Sequence, residues 1–133
     1  QILLEQRKQG PGLRHQLLFA AAIEINRPRL QQLEALHLRD NRMGDETATA
    51  LASLLEAGAM PKLKKLRLDS NRIGEAGMAA LASAVRGGAL PSCETIDLGV
   101  NPGSAAPVQE AAAQREGMVV YADSKDEDAD SLM

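Results

Sequence analysis

The chain is 133 residues long with a net charge of −3; 44% of it is apolar, yet only 2% is aromatic and tryptophan is absent. This suffices for one domain with a modest core of Leu, Ala, Ile, Val and Met, and it excludes a core organised around large aromatic side chains. The most apolar run, residues 17–25, contains Glu24 and falls far short of the roughly 18 residues that a membrane-spanning helix needs, so no membrane partner is expected.

Charge is unevenly spread. Residues 1–32 carry five basic and two acidic side chains, residues 33–92 eight and seven, and residues 93–133 two and nine. So acidic an end repels phosphates, and nucleic acid is not an expected partner.

Internal repetition sets the frame in which every segment is read. Leu33, Leu36, Leu38, Asn41, Arg42 and Gly44 recur thirty positions later as Leu63, Leu66, Leu68, Asn71, Arg72 and Gly74, and Cys93, Ile96, Leu98 and Asn101 continue the same register. Extended backward, the frame places Leu13, Leu18, Ala21, Ala22, Ile25 and Leu30 on the slots of Met43, Ala48, Leu51, Ala52, Leu55 and Met60. That spacing predicts a helical half-repeat over 13–32, with its helix near 13–26. Lys8 and Pro11 fall on the slots of Leu38 and Asn41, so residues 1–12 read as a frayed cap or the damaged end of a preceding repeat, with 6–12 irregular.

The two full repeats, 33–62 and 63–92, each open with a predicted strand centred on Leu36 or Leu66. Gly44 or Gly74 follows, then Asp45 or Glu75, suited to a helix's first turn, where free N–H groups favour negative charge. Ala48, Leu51, Ala52 and Leu55, and likewise Met78, Leu81, Ala82 and Val85, fall at helical spacing, which predicts helices over 45–57 and 75–86. Gly58 and the pair Gly87-Gly88 end them, and Pro61 or Pro91 forbids continuation.

The terminal repeat, 93–122, degrades: it has a strand near Ile96, a helix over 105–115 thin in large apolar residues, and a β-prone Met118-Val119-Val120-Tyr121 that predicts a short closing strand. Residues 123–133, acidic and without apolar pattern, read as a disordered tail.

The pattern LxxLxLxxN, a length near thirty and a full helix in each unit resemble the ribonuclease-inhibitor-like class of leucine-rich repeats, as in NOD-like receptors and Ran GTPase-activating proteins. Over residues 13–122 the resemblance implies a right-handed α/β solenoid, a horseshoe fragment with a parallel sheet on the concave side and helices on the convex side. A solenoid this short reads as a stub or a piece of something longer. Extracellular members of the wider family seal their ends with disulfides, so the single cysteine, Cys93, points to the cytoplasm.

Strand side chains alternate faces, so the residues between the core leucines point outward. They form three rows: Ala35, His37 and Arg39; Lys65, Arg67 and Asp69; Thr95, Asp97 and Gly99. A partner-binding face of His37, Arg39, Lys65, Arg67, Asp69, Thr95 and Asp97 is the functional expectation, with Arg39 and Arg67 as anchors and without a packing role. Asn41, Asn71 and Asn101 are structural, satisfying backbone groups where the chain leaves each strand. No catalytic residue is expected, since no Ser or Cys nucleophile stands beside His37. Two histidines and one cysteine show no metal-ligand spacing, and nothing calls for a cofactor or a small-molecule substrate. The expected function is protein–protein interaction by a non-catalytic scaffold. The resemblance leaves two alternatives: a GTPase-activating regulator like Ran GTPase-activating protein, and the sensing region of a NOD-like receptor.

Overall fold

The structure, a computed structural model, describes residues 3–5 and 30–122. Over 30–122 four strands alternate with three helices: β2 (Ala35–His37), α1 (Asp45–Glu56), β3 (Lys65–Arg67), α2 (Glu75–Arg86), β4 (Thr95–Asp97), α3 (Ala106–Ala113) and β5 (Val119–Tyr121). A further strand, β1 (Leu3–Glu5), precedes them. All five form one parallel sheet in sequence order. The helix expected over 13–26, the irregular stretch 6–12 and the acidic end 123–133 lie outside the described residues.

The register follows the thirty-residue repeat from β2 to β4 and departs from it at both edges, since Ile96 pairs with Val120 only 24 residues on. Leu36, Leu66 and Ile96 stand opposite one another, whereas Leu4 pairs with Leu36. The strand before the first full repeat therefore lies two residues earlier than the frame places it. A shift of that size is invisible to a fixed period, which put Lys8 and Pro11 where core residues belong.

Packing explains why these segments adopt these elements. Leu36, Leu38, Leu63, Leu66, Leu68, Ile96 and Leu98 turn one side of the sheet into a core surface. Ala48, Leu51, Leu55, Met78, Leu81, Val85 and Val108 meet it from the helices, and α1 packs on α2 and α2 on α3. Alanine at 48, 52, 82, 84, 111 and 112 keeps that layer thin enough for three helices to stack at this repeat length. Leu66, 1% exposed, sits between two neighbouring units. Leu66→Ala should cost about 2–5 kcal/mol by chemical denaturation, and a loss below about 1 kcal/mol would remove the residue from the core.

The helix ends are closed across repeats. Gly44 and Gly74 occupy the N-cap positions without a side-chain cap. For α2 that role falls to the neighbouring unit: Asp45 Oδ1 accepts the Gly74 amide at 2.7 Å and the Gly77 amide at 2.9 Å. Asp45 thus stands in the first turn of its own helix and at the start of the next, where the macrodipole favours a carboxylate twice over. Gly58 and Gly88 take the left-handed conformation, φ 79° and 92°, and the following amides of Ala59 and Ala89 return to Leu54 O and Ala84 O.

The third helix is shorter at both ends than the expected 105–115. Ser104 Oγ accepts the Ala106 amide. At the far end Arg115 leaves the helix to donate to Val85 O, Ala89 O and Leu90 O of the preceding unit. It holds the chain after α2 where Leu90 adopts φ 59°.

Candidate partner-binding face

Where β3 and β4 end, an asparagine joins two units. Asn71 Oδ1 accepts the amides of Asn41 and Met43, each at 2.9 Å, and its Nδ2 donates to Leu38 O at 2.9 Å and Leu68 O at 3.0 Å. Asn101 repeats the arrangement one unit on, accepting from Ile73 N and donating to Leu68 O and Leu98 O. Asn41 donates to Arg39 O. The residue before each asparagine, Asp40, Ser70 or Val100, adopts a positive φ of 60°, 58° or 56°. The residue before the asparagine thus takes the same left-handed conformation in all three units, and the rows of side chains preceding it are held in register.

On the sheet face turned away from the helices, His37, Arg67 and Asp97 stand opposite one another, as do Ala35, Lys65 and Thr95. Neighbouring strands lie about 4.8 Å apart. Lys65 is exposed, His37, Arg67, Thr95 and Asp97 are half-buried, and Ala35 is buried.

Asp69 departs most from the expected outward row. Its side chain has 0% exposure and is gripped from two repeat units, by Arg39 Nε at 3.1 Å and by Arg67 through Nε at 3.2 Å and Nη2 at 2.9 Å. Arg67 also reaches Asp97 at 3.6 Å, and Asp97 Oδ1 accepts the Gly99 amide at 3.0 Å. The idea that Arg39 and Arg67 lack a packing role is thereby corrected. They neutralise a buried carboxylate, and removing Arg67 would leave a charge inside the protein with half its partners gone. Strand alternation predicts which side of the sheet a residue leaves from, not whether two long arginines will close over a short acid.

Arg39 retains 52% side-chain exposure, so one arginine both braces Asp69 and remains open to solvent. The result is a row of fixed charges, basic at β2 and β3 and acidic at β4. The ion pairs Arg39–Asp69, Arg67–Asp69 and Arg67–Asp97 interlock this row.

Cys93 fills a core slot at 5% exposure. Burial pushes its thiol from the usual 9.0 up to about 11, partly offset by the Thr95 backbone hydrogen bond. It behaves as a small hydrophobe rather than a nucleophile. Among the described residues no cluster of histidine, cysteine and carboxylate side chains could hold a metal ion, and no helix is long and apolar enough to cross a membrane.

A parallel sheet backed by helices, with an asparagine ladder tying each unit to the next, defines an α/β leucine-rich repeat solenoid. The leucine-rich repeat family model matches residues 30–52 and 59–82, which supports placing the chain in the leucine-rich repeat family. Comparison with curated proteins finds no match.

Proposed function

We propose that the chain is a non-catalytic protein-interaction module that receives an acidic segment of a partner protein on the open face of its sheet. The observation that carries this reading is the interlocked charge row. Arg39, Arg67 and Lys65 present positive charge on adjacent strands, two of them fixed by the buried Asp69. His37, Thr95 and Asp97 border them and set the register of an incoming chain. Leucine-rich repeats support a binding role in general, and a rigid face with arginine anchors suits one. The buried free thiol of Cys93 accords with a reducing compartment, and we assign the protein to the cytoplasm.

Arg67 cannot be reversed without exposing Asp69 to repulsion, so the test spares it. Lys65→Glu combined with Arg39→Gln should reduce recovery of captured protein at least fivefold, with an unchanged circular dichroism spectrum. Glu56→Arg, on the exposed side of α1, serves as the control. Full recovery by the double variant together with loss in the control would transfer the site to the helices.

A further inference from the structure

Along the open side of the sheet the residue types change from one end to the other. Ala35, Lys65, Thr95 and Val119 stand opposite one another in one row, and His37, Arg67, Asp97 and Tyr121 in the next. The polar and charged residues of β3 and β4 therefore give way on β5 to a valine and a tyrosine. Alternation puts both on the open side: Met118 is buried, Val120 and Ala122 pack against the core, and the residues between them face outward. Val119 is 49% exposed and Tyr121 half-buried.

The turn after β4 changes in the same sense. Val100, 52% exposed, occupies the slot of Asp40 and Ser70. Among the described residues the exposed large apolar side chains, Val100 and Val119, thus both belong to the last unit. A single exposed apolar residue is ordinary. Two in one unit, with a tyrosine on the open side of the same unit and a row of paired charges beside it, have the makeup of a binding surface, an aromatic anchor next to polar groups. Positive charge stays with β2 and β3, where Arg39 and Arg67 close on Asp69, and β5 carries none.

We propose that the partner segment crosses the strands with a carboxylate on Arg39, Lys65 and Arg67 and, three residues away, a large apolar side chain seated on Val119 and Tyr121. This deepens the reading of the open face given above and rests on it. From β3 to β5 is two strand spacings, roughly 10 Å. One turn of polyproline II helix advances about 9 Å over three residues, so residues i and i+3 of such a segment meet the two ends of the site from one side. A chain crossing the strands adds no rung to the sheet, and polyproline II, which has no internal hydrogen bonds, leaves its backbone to water. Acidity alone then does not define the partner: the apolar residue at the right spacing does.

The test titrates the full chain, isotope-labelled, with capped peptides of sequence Glu-Glu-Pro-Pro-Phe and Phe-Pro-Pro-Glu-Glu and with their alanine counterparts at the phenylalanine. In one chain direction the phenylalanine peptide should bind about tenfold tighter than its counterpart, with amide shifts at residues 95–97 and 119–121. A third proline, which rotates the ring away from the acid's side, should remove the gain. So should Val119→Thr combined with Tyr121→Ser, which keeps a β-branched residue in the strand, while the circular dichroism spectrum and the affinity for the alanine peptide stay unchanged. Equal affinity of the phenylalanine and alanine peptides in both directions, with shifts at 39, 65 and 67, would overturn the anchor and leave the docking face standing. A gain that survives the double variant or the third proline would overturn it as well. Absence of shifts at 39, 65 and 67 with every peptide removes both readings.

Discussion

Asn71→Ala lowers the unfolding free energy by about 4 kcal/mol. The side chain is 7% exposed, and through its two ends it serves the amides of Asn41 and Met43 and the carbonyls of Leu38 and Leu68. Each buried backbone group left without a partner costs about 1–3 kcal/mol; water entering the vacated space recovers part of that, and about 1 kcal/mol for each of the four groups remains. Asn101 is half-buried and serves fewer groups, so Asn101→Ala costs less. Urea unfolding followed by circular dichroism measures both. Equal losses at the two positions, or a loss below about 1 kcal/mol at Asn71, would mean that the ladder does not couple the repeats. Native domains are stable by only about 5–15 kcal/mol, so this one side chain governs a large share of the total.

Gly103→Ala is the second large effect, and its cause is steric. A Cβ at this position would collide with the Gly74 carbonyl carbon, lie 2.6 Å from the Gly74 oxygen and stand 2.9 Å from the Glu75 nitrogen. All three are backbone atoms, and the Gly103 amide is itself tied to Ile73 O at 2.8 Å, so the turn cannot swing away without breaking that bond. Overpacking of this kind costs about 3 kcal/mol, or about 12 °C in melting temperature for a domain of this size. Gly44→Ala is the contrast, since nothing lies within 4 Å of a Cβ there and φ is −99°. It should cost below about 1 kcal/mol. Similar melting temperatures for the two variants would contradict the close approach.

These two positions show what the sequence discloses and what it withholds. Asn71 is legible because it recurs at a fixed interval with Asn41 and Asn101 and because a buried amide after a strand has few other uses. Strands β2 to β4 and helices α1 and α2 are legible for the same reason, each written by the spacing of Leu, Ala and Gly, whereas β5 is legible only from its β-prone residues 118–121, which fall outside the repeat spacing. The close contact at Gly103 is hidden, since it occurs where the third unit replaces the apolar residue of Met43 and Ile73 by glycine. A reader of the pattern sees decay, whereas the structure uses the missing side chain to bring two backbones together.

The same limit applies to the site. Which residues leave the open side of the sheet follows from alternation, but the burial of Asp69 depends on two side chains from different strands converging on it. Arg115 was hidden for a related reason: it stands on the slot of Leu55 and Val85, where the frame expects an apolar residue and not a donor to Val85 O, Ala89 O and Leu90 O of the preceding unit. Strand β1 was missed because its spacing to β2 is two residues longer than the period that revealed the rest.

We propose that a partner lies on the open face of the sheet and not on the helices. Photo-crosslinking separates the two surfaces, with a benzophenone side chain placed at Lys65 in one protein and at Glu56 in another, both exposed positions. Irradiation in the presence of a captured partner should give a covalent adduct from position 65 and none from position 56. An adduct from position 56 with none from position 65 would contradict it.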